Sequence, residues 1–224
     1  MKCVLVLICS LANTLACGQQ VIKVNPNKDQ DKLIALHATK DPVTYMGKKA
    51  IKVVGNKDNL GEPMIRIKDV DFKDGTIEAW VAGKPRDGAF ADARGYVGIS
   101  FRVSDDNRRF ECFYLRPTNG RVEDQVRRNH ALQYTSTPDF PWFKLRKENT
   151  EKYESYADLV TGEWTKMKIV VKGDKAKLYV LDAKQPNLIV NDLKLGADAK
   201  GGIALWIGLD TEAYFADIKI IREN

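Results

Sequence analysis

Hydrophobic residues in this chain recur with a period of two, in short runs separated by turn residues, over most of its length. That pattern suits a strand with one face buried and one solvated, and it excludes a helical bundle. The runs are Ala50–Val54, Met64–Val70, Gly75–Val81, Tyr96–Val103, Phe110–Leu115, Ala131–Thr135, Glu154–Leu159, Thr165–Val171, Lys175–Leu181, Leu188–Leu193, Gly202–Leu209 and Tyr214–Ile221. Lys73-Asp74-Gly75, Asp105-Asp106-Asn107, Lys172-Gly173-Asp174 and Asp198 to Gly202 supply the turns between them. Without a strand-helix-strand rhythm, the expectation is an all-β chain, a jelly-roll sandwich of two antiparallel sheets in one domain.

Two runs indicate how the faces divide. In Thr165–Val171, Met167, Ile169 and Val171 alternate with Lys166, Lys168 and Lys172, so the lysine side meets water. In Gly202–Leu209, the row Ile203, Leu205, Ile207 and Leu209 stands opposite a second row, Ala204, Trp206 and Gly208, that is also apolar. Such a strand is covered on both faces or lines a groove.

The amino terminus reads as an export leader. Lys2 precedes the apolar run Val4 to Ala12, and Ala16-Cys17-Gly18 ends in small residues, so residues 1–18 are expected as a signal peptide cleaved before Gln19. Thr14-Leu15-Ala16-Cys17 alternatively reads as a lipobox, with Cys17 lipidated as the sole membrane attachment. Removing residues 1–18 leaves 206 residues for the sandwich, 19–224, and lowers the net charge from +6 to +5. The basic residues are interleaved with acids, which argues against a nucleic-acid partner. Cys112 is the one cysteine outside the leader, so no intrachain disulfide is expected in the mature fold.

Residues 116 to about 152 depart from the pattern. They are rich in Arg, Asn, Gln, Tyr, Pro and Trp, and they read as a loop insertion folded onto the sandwich, the first place to seek a site. Strand alternation before it gathers Arg102, Tyr114 and Arg116 on one polar surface as the floor of a sugar site. Asn119, Gln125, Arg128, Gln133, Tyr134 and Trp142 would then form a wall, since Arg forks and Tyr hydroxyls bind ring hydroxyls while aromatic faces stack on sugar C–H groups. His130, with Asp124 or Glu154, is the candidate for proton transfer. No Glu-x-Asp-x-x-Glu array is present on one strand, and Glu111, Asp124, Glu154 and Asp158 are the scattered carboxylates. No metal site and no cofactor are expected. Asp69 to Gly75 has oxygen ligands at alternate positions without the later glutamate of a calcium loop, so an Asp-Gly turn is preferred to structural calcium.

The succession GYVGISFR, FECFYLRP, HALQY, GEWTKMKIVVKGDKAKLYV and GGIALWIGLDTEAYFADIKI, over about Asp71 to Ile221, resembles the concanavalin A-like lectin/glucanase superfamily. Within it, the chain looks most like secreted bacterial domains related to 3-keto-disaccharide hydrolases. The resemblance implies a two-sheet jelly roll whose concave sheet binds glycans. Three functions follow as expectations: an exported carbohydrate-binding lectin-like domain, a hydrolase of (keto-)glycosides, or a cell-surface protein-interaction module.

Overall fold

The structure, a computed structural model, describes residues 19–56 and 61–223. The leader expected over residues 1–18, with Cys17, lies outside the described residues. In chain order the strands are β1 (Gln20–Val24), β2 (Leu33–Leu36), β3 (Ala38–Tyr45), β4 (Lys48–Gly55), β5 (Met64–Phe72), β6 (Asp74–Pro85), β7 (Val97–Val103) and β8 (Phe110–Leu115). They continue with β9 (Leu132–Thr137), β10 (Glu154–Ser155), β11 (Thr165–Lys172), β12 (Lys175–Val180), β13 (Leu188–Val190), β14 (Gly201–Ile207) and β15 (Thr211–Glu223). Two short helices, α1 (Gln125–Asn129) and α2 (Trp142–Glu148), flank β9.

The strands form two antiparallel sheets. One is eight-stranded, ordered β13-β12-β11-β6-β15-β4-β3 with β1 also paired to β15; the other is seven-stranded, ordered β10-β9-β8-β7-β14-β5-β2. Alternation decides what lies between them. Met167, Ile169 and Val171 of β11 meet Val97, Ile99 and Phe101 of β7 and Ile203, Leu205 and Ile207 of β14 in one core. Fully burying each such side chain contributes roughly 1.5–3 kcal/mol, which lets the core stand without a disulfide.

The stretch 116–152, read as a loop insertion with a strand run at Ala131–Thr135, is organised about that strand. Its centre is β9, a full member of the seven-stranded sheet, paired with β8 from Phe110↔Thr137 to Leu115↔Leu132. Only the flanking connections, carrying α1 and α2, are added to the sandwich. The strand expected over Glu154–Leu159 shortens to β10, and β1, β2 and β3 had no counterpart in the alternation pattern. Pro42 and its polar neighbours in edge strand β3 explain part of that: an edge strand with both faces partly wet does not alternate.

A β-bulge overturns the placement of Arg102. Phe101 lies opposite Ile203 and Val103 opposite Gly202, so the ladder skips Arg102, whose φ is +54°. The extra residue flips the strand: Val97, Ile99 and Phe101 face the core, but Val103 joins an outer-face cluster with Phe110 and Cys112. Arg102 turns away from the polar surface into the end of the sandwich. There its guanidinium donates to Gly173 O (2.7 Å), Gly196 O (2.8 Å), Lys73 O (3.1 Å) and Asp74 Oδ1 (3.3 Å). It ties three turns together and is a structural residue. The Asp69 to Gly75 segment is the turn that carries the chain from β5 in one sheet to β6 in the other, with Asp74 also accepting from Gly173 N.

Candidate functional site

The outer face of the seven-stranded sheet carries a second apolar cluster, made of Met64, Val103, Phe110, Cys112, Tyr114 and Ala204, with Leu36, Tyr96 and Trp206 against it. Register explains its form. One cross-strand row runs Glu154, Gln133, Tyr114, Gly98, Trp206, Met64, each directly opposite the next. The adjoining row, Thr135, Cys112, Ser100 and Ala204, consists of small side chains. Large residues beside small ones make a groove, and this one encloses about 340 Å³.

Gly98 sets the depth of its floor. A Cβ there would lie 2.3 Å from Phe113 O and 2.6 Å from Tyr114 Cβ. With hydrogen in that place, the Tyr114 and Trp206 rings close to 4.9 Å between centroids, and Tyr96 meets Tyr114 edge-on at 6.0 Å. Trp206 Nε1 donates to Glu62 Oε2 (2.8 Å), which fixes the indole and leaves its ring in the groove lining. Helix α2 supplies the wall: Trp142, 43% exposed, lines the groove beside Pro141 and Thr135.

One end of the row is a polar cluster. Arg116 donates through Nη1 to His130 O (2.8 Å) and Glu154 Oε1 (3.2 Å), and through Nη2 to Tyr114 OH (3.0 Å) and Gln133 Oε1 (3.0 Å). Arg146 of α2 grips the same carboxylate, Nε to Oε2 at 2.8 Å and Nη2 to Oε1. Since α2 also carries Trp142, the Arg146–Glu154 pair holds the wall against the sheet. Both guanidiniums lie near the indole, Arg146 at 4.7 Å and Arg116 at 5.8 Å from the ring centre. The His130 imidazole stands 3.6 Å from Glu154. Burial pulls it below its ordinary pKa; Glu154 opposes this, and Arg146 and Arg116 reinforce it. Burial likewise pushes the Tyr114 phenol and the Cys112 thiol up, so both keep their protons.

The structure therefore brings together Tyr114, Arg116, His130, Gln133, Trp142 and Glu154. Asn119 adjoins them from beneath, with Nδ2 donating to His130 O (3.4 Å). Other expected site residues lie elsewhere. Tyr134 alternates inward from Gln133; it is fully buried in the core, where its hydroxyl donates to Glu111 and accepts from Lys194 N (2.9 Å). Asp124 is the N-cap of α1 and accepts from Arg127 N (3.1 Å). Gln125 spends its amide on Asn129 Oδ1 one turn along, and Arg128 donates to Tyr156 OH. None of these three lines the groove. Among the scattered carboxylates, Glu111 is buried with its pKa raised by desolvation, and Asp158 pairs with Arg121. No group of three metal-ligating side chains occurs among the described residues.

Trp206, Tyr96, Phe110, Glu62 and Arg146 were not expected at the site. The doubly apolar β14 run carried a signal for Trp206, and Tyr96 shares a face with Gly98 and Ser100 in the β7 alternation. Glu62 and Arg146 have no comparable signal.

No family model matches the sequence, and no curated protein matches it. Solved structures do resemble the fold. The carbohydrate-binding module CBM66 of Bacillus subtilis aligns with TM-score 0.57 at 16% identity, covering 84% of this chain and 95% of that one. A galectin-like-fold protein of Bacillus subtilis aligns with TM-score 0.57 at 11% identity, covering 89% and 94%. The Crh5 transglycosylase in complex with NAG aligns with TM-score 0.53 at 14% identity, covering 91% and 84%. The chain shares with them a fold, the jelly-roll sandwich of two antiparallel sheets.

Proposed function

We propose that the protein binds carbohydrate outside the cytoplasm, in the groove on the outer face of its seven-stranded sheet. The observation that carries this is the aromatic floor and wall, Tyr114, Trp206, Tyr96 and Trp142, opening onto one groove. Ring faces stack on sugar C–H groups while hydroxyls and amides at the margin bind oxygens. Tyr114 OH accepts from Arg116 and so keeps its own proton for a ligand oxygen. The fold likeness to a carbohydrate-binding module supports the same reading, and the leader-like residues 1–18 support export.

Binding is preferred to hydrolysis for a geometric reason. Glycoside cleavage uses two carboxyl groups about 5–9.5 Å apart. Among the described residues, Glu62, bonded to Trp206 on β14, is the carboxylate in the groove lining, and Glu154 stands at β10 at the end of the cross-strand row. Their anchor points in the row are four strand spacings apart, roughly 19 Å. Glu154 is moreover engaged by two arginines.

A glycan array probed with residues 19–224, followed by calorimetric titration of the hits, tests the proposal. Trp206→Ala and Trp142→Ala should each weaken binding at least tenfold. Undiminished affinity in both variants would remove the groove as the site.

A further inference from the structure

The polar end of the groove holds an unbalanced charge. Arg116 and Arg146 both bind Glu154, whose side chain is 2% exposed, so two guanidiniums share one carboxylate. His130 does not add a counter-charge, and the next carboxylate, Glu151, is exposed to water, where its field is screened. Arg116 is enclosed, with both terminal nitrogens committed to protein oxygens. Arg146 is different. Its Nε and Nη2 are taken by Glu154, its Nη1 has no protein partner among the described residues, and its side chain is 31% exposed. Its guanidinium carbon lies 4.7 Å from the centre of the Trp142 ring, and Trp142 lines the groove.

Arg146 shares its carboxylate with Arg116, so the two guanidiniums carry one more charge than Glu154 balances, and a ligand anion at Nη1 would complete it through a charge-assisted hydrogen bond. A neutral hydroxyl could accept the bond but would leave the charge uncompensated. We propose that the groove takes a glycan bearing an anionic group, a carboxylate or a sulfate, with Arg146 as the residue that reads it. This rests on the carbohydrate function proposed above.

The test uses matched pairs on the unmutated chain: oligomers of galacturonate, mannuronate and glucuronate against their methyl esters, and sulfated oligosaccharides against their desulfated forms. At low salt the charged member of at least one pair should bind tenfold or more tightly than its neutral partner, with the difference shrinking as salt is raised. In Arg146→Gln that ratio should fall to about one. Binding by uronates alone or by sulfated sugars alone identifies the anion. Equal affinity for charged and neutral members of every pair, or a preference that survives in Arg146→Gln, overturns the inference and leaves carbohydrate binding standing. If none of these sugars binds and the glycan array is also blank, the carbohydrate reading itself falls. The paired comparison needs no variant, so a poorly folded Arg146→Gln does not blunt it.

Discussion

Replacing Arg102 with methionine separates structural from binding roles. The guanidinium is fully buried and serves Lys73 O, Gly173 O and Gly196 O, with Asp74 as its ionic partner among the described residues at 3.3 Å. Methionine retains most of the packing but takes the buried donor from three carbonyls and leaves Asp74 with Gly173 N as its remaining partner. Leaving a buried charge or acceptor unpaired in this way costs about 3–5 kcal/mol, a large share of the 5–15 kcal/mol that holds a typical domain. For a domain of this length each kcal/mol lowers Tm by about 2–4 °C, so the expected drop is about 6–20 °C. Urea titration and calorimetry would measure it, alongside glycan affinity at a temperature where the variant is still folded. Affinity should hold within twofold, because the bulge points Arg102 away from the groove. A variant as stable as the parent but unable to bind would refute both the bulge and the assignment of the groove.

Glu154→Gln should weaken glycan binding and cost about 3–5 kcal/mol of stability, since it leaves Arg116 buried beside a neutral group and releases α2; denaturation and titration check both. Gly98→Ala should separate Tyr114 from Trp206 and destabilise by about 1–3 kcal/mol through overpacking, read as lost affinity and a lower Tm. The His130 pKa is lower in the folded chain than the ordinary value of about 6.5. The unfolded chain therefore binds the proton first. The stability contribution is complete above about pH 6.5 and is lost as pH falls towards the folded pKa. His130→Gln should flatten that part of the stability profile, measured by urea denaturation at stepped pH.

The division of the chain into strands and the apolar alternation of β7, β8, β11 and β14 were legible because each has one face on the core. So was the union of Tyr114 and Arg116, two residues apart on one strand. The bulge at Arg102 was not, because a single extra residue changes the parity of every side chain beyond it without altering composition. Tyr134 was misplaced for a related reason: its polar neighbourhood suggested a wall, whereas its strand parity, opposite to Gln133, sends it into the core. The groove needed contributions from β7, β8, β14 and α2, far apart in sequence. Trp206 therefore became visible as part of a floor only when register placed it across from Gly98. Arg146 gained meaning only beside Glu154.

The four tryptophans offer the most direct test, since their indole N–H signals are resolved one by one in proton–nitrogen NMR. Trp142 and Trp206 line the groove, whereas Trp80 lies on β6 and Trp164 donates to Tyr45 O beside the opposite sheet. On titration with a glycan selected from the array, the Trp142 and Trp206 signals should move while those of Trp80 and Trp164 stay in place. Movement confined to Trp80 and Trp164 would put the ligand on the other sheet and contradict the account.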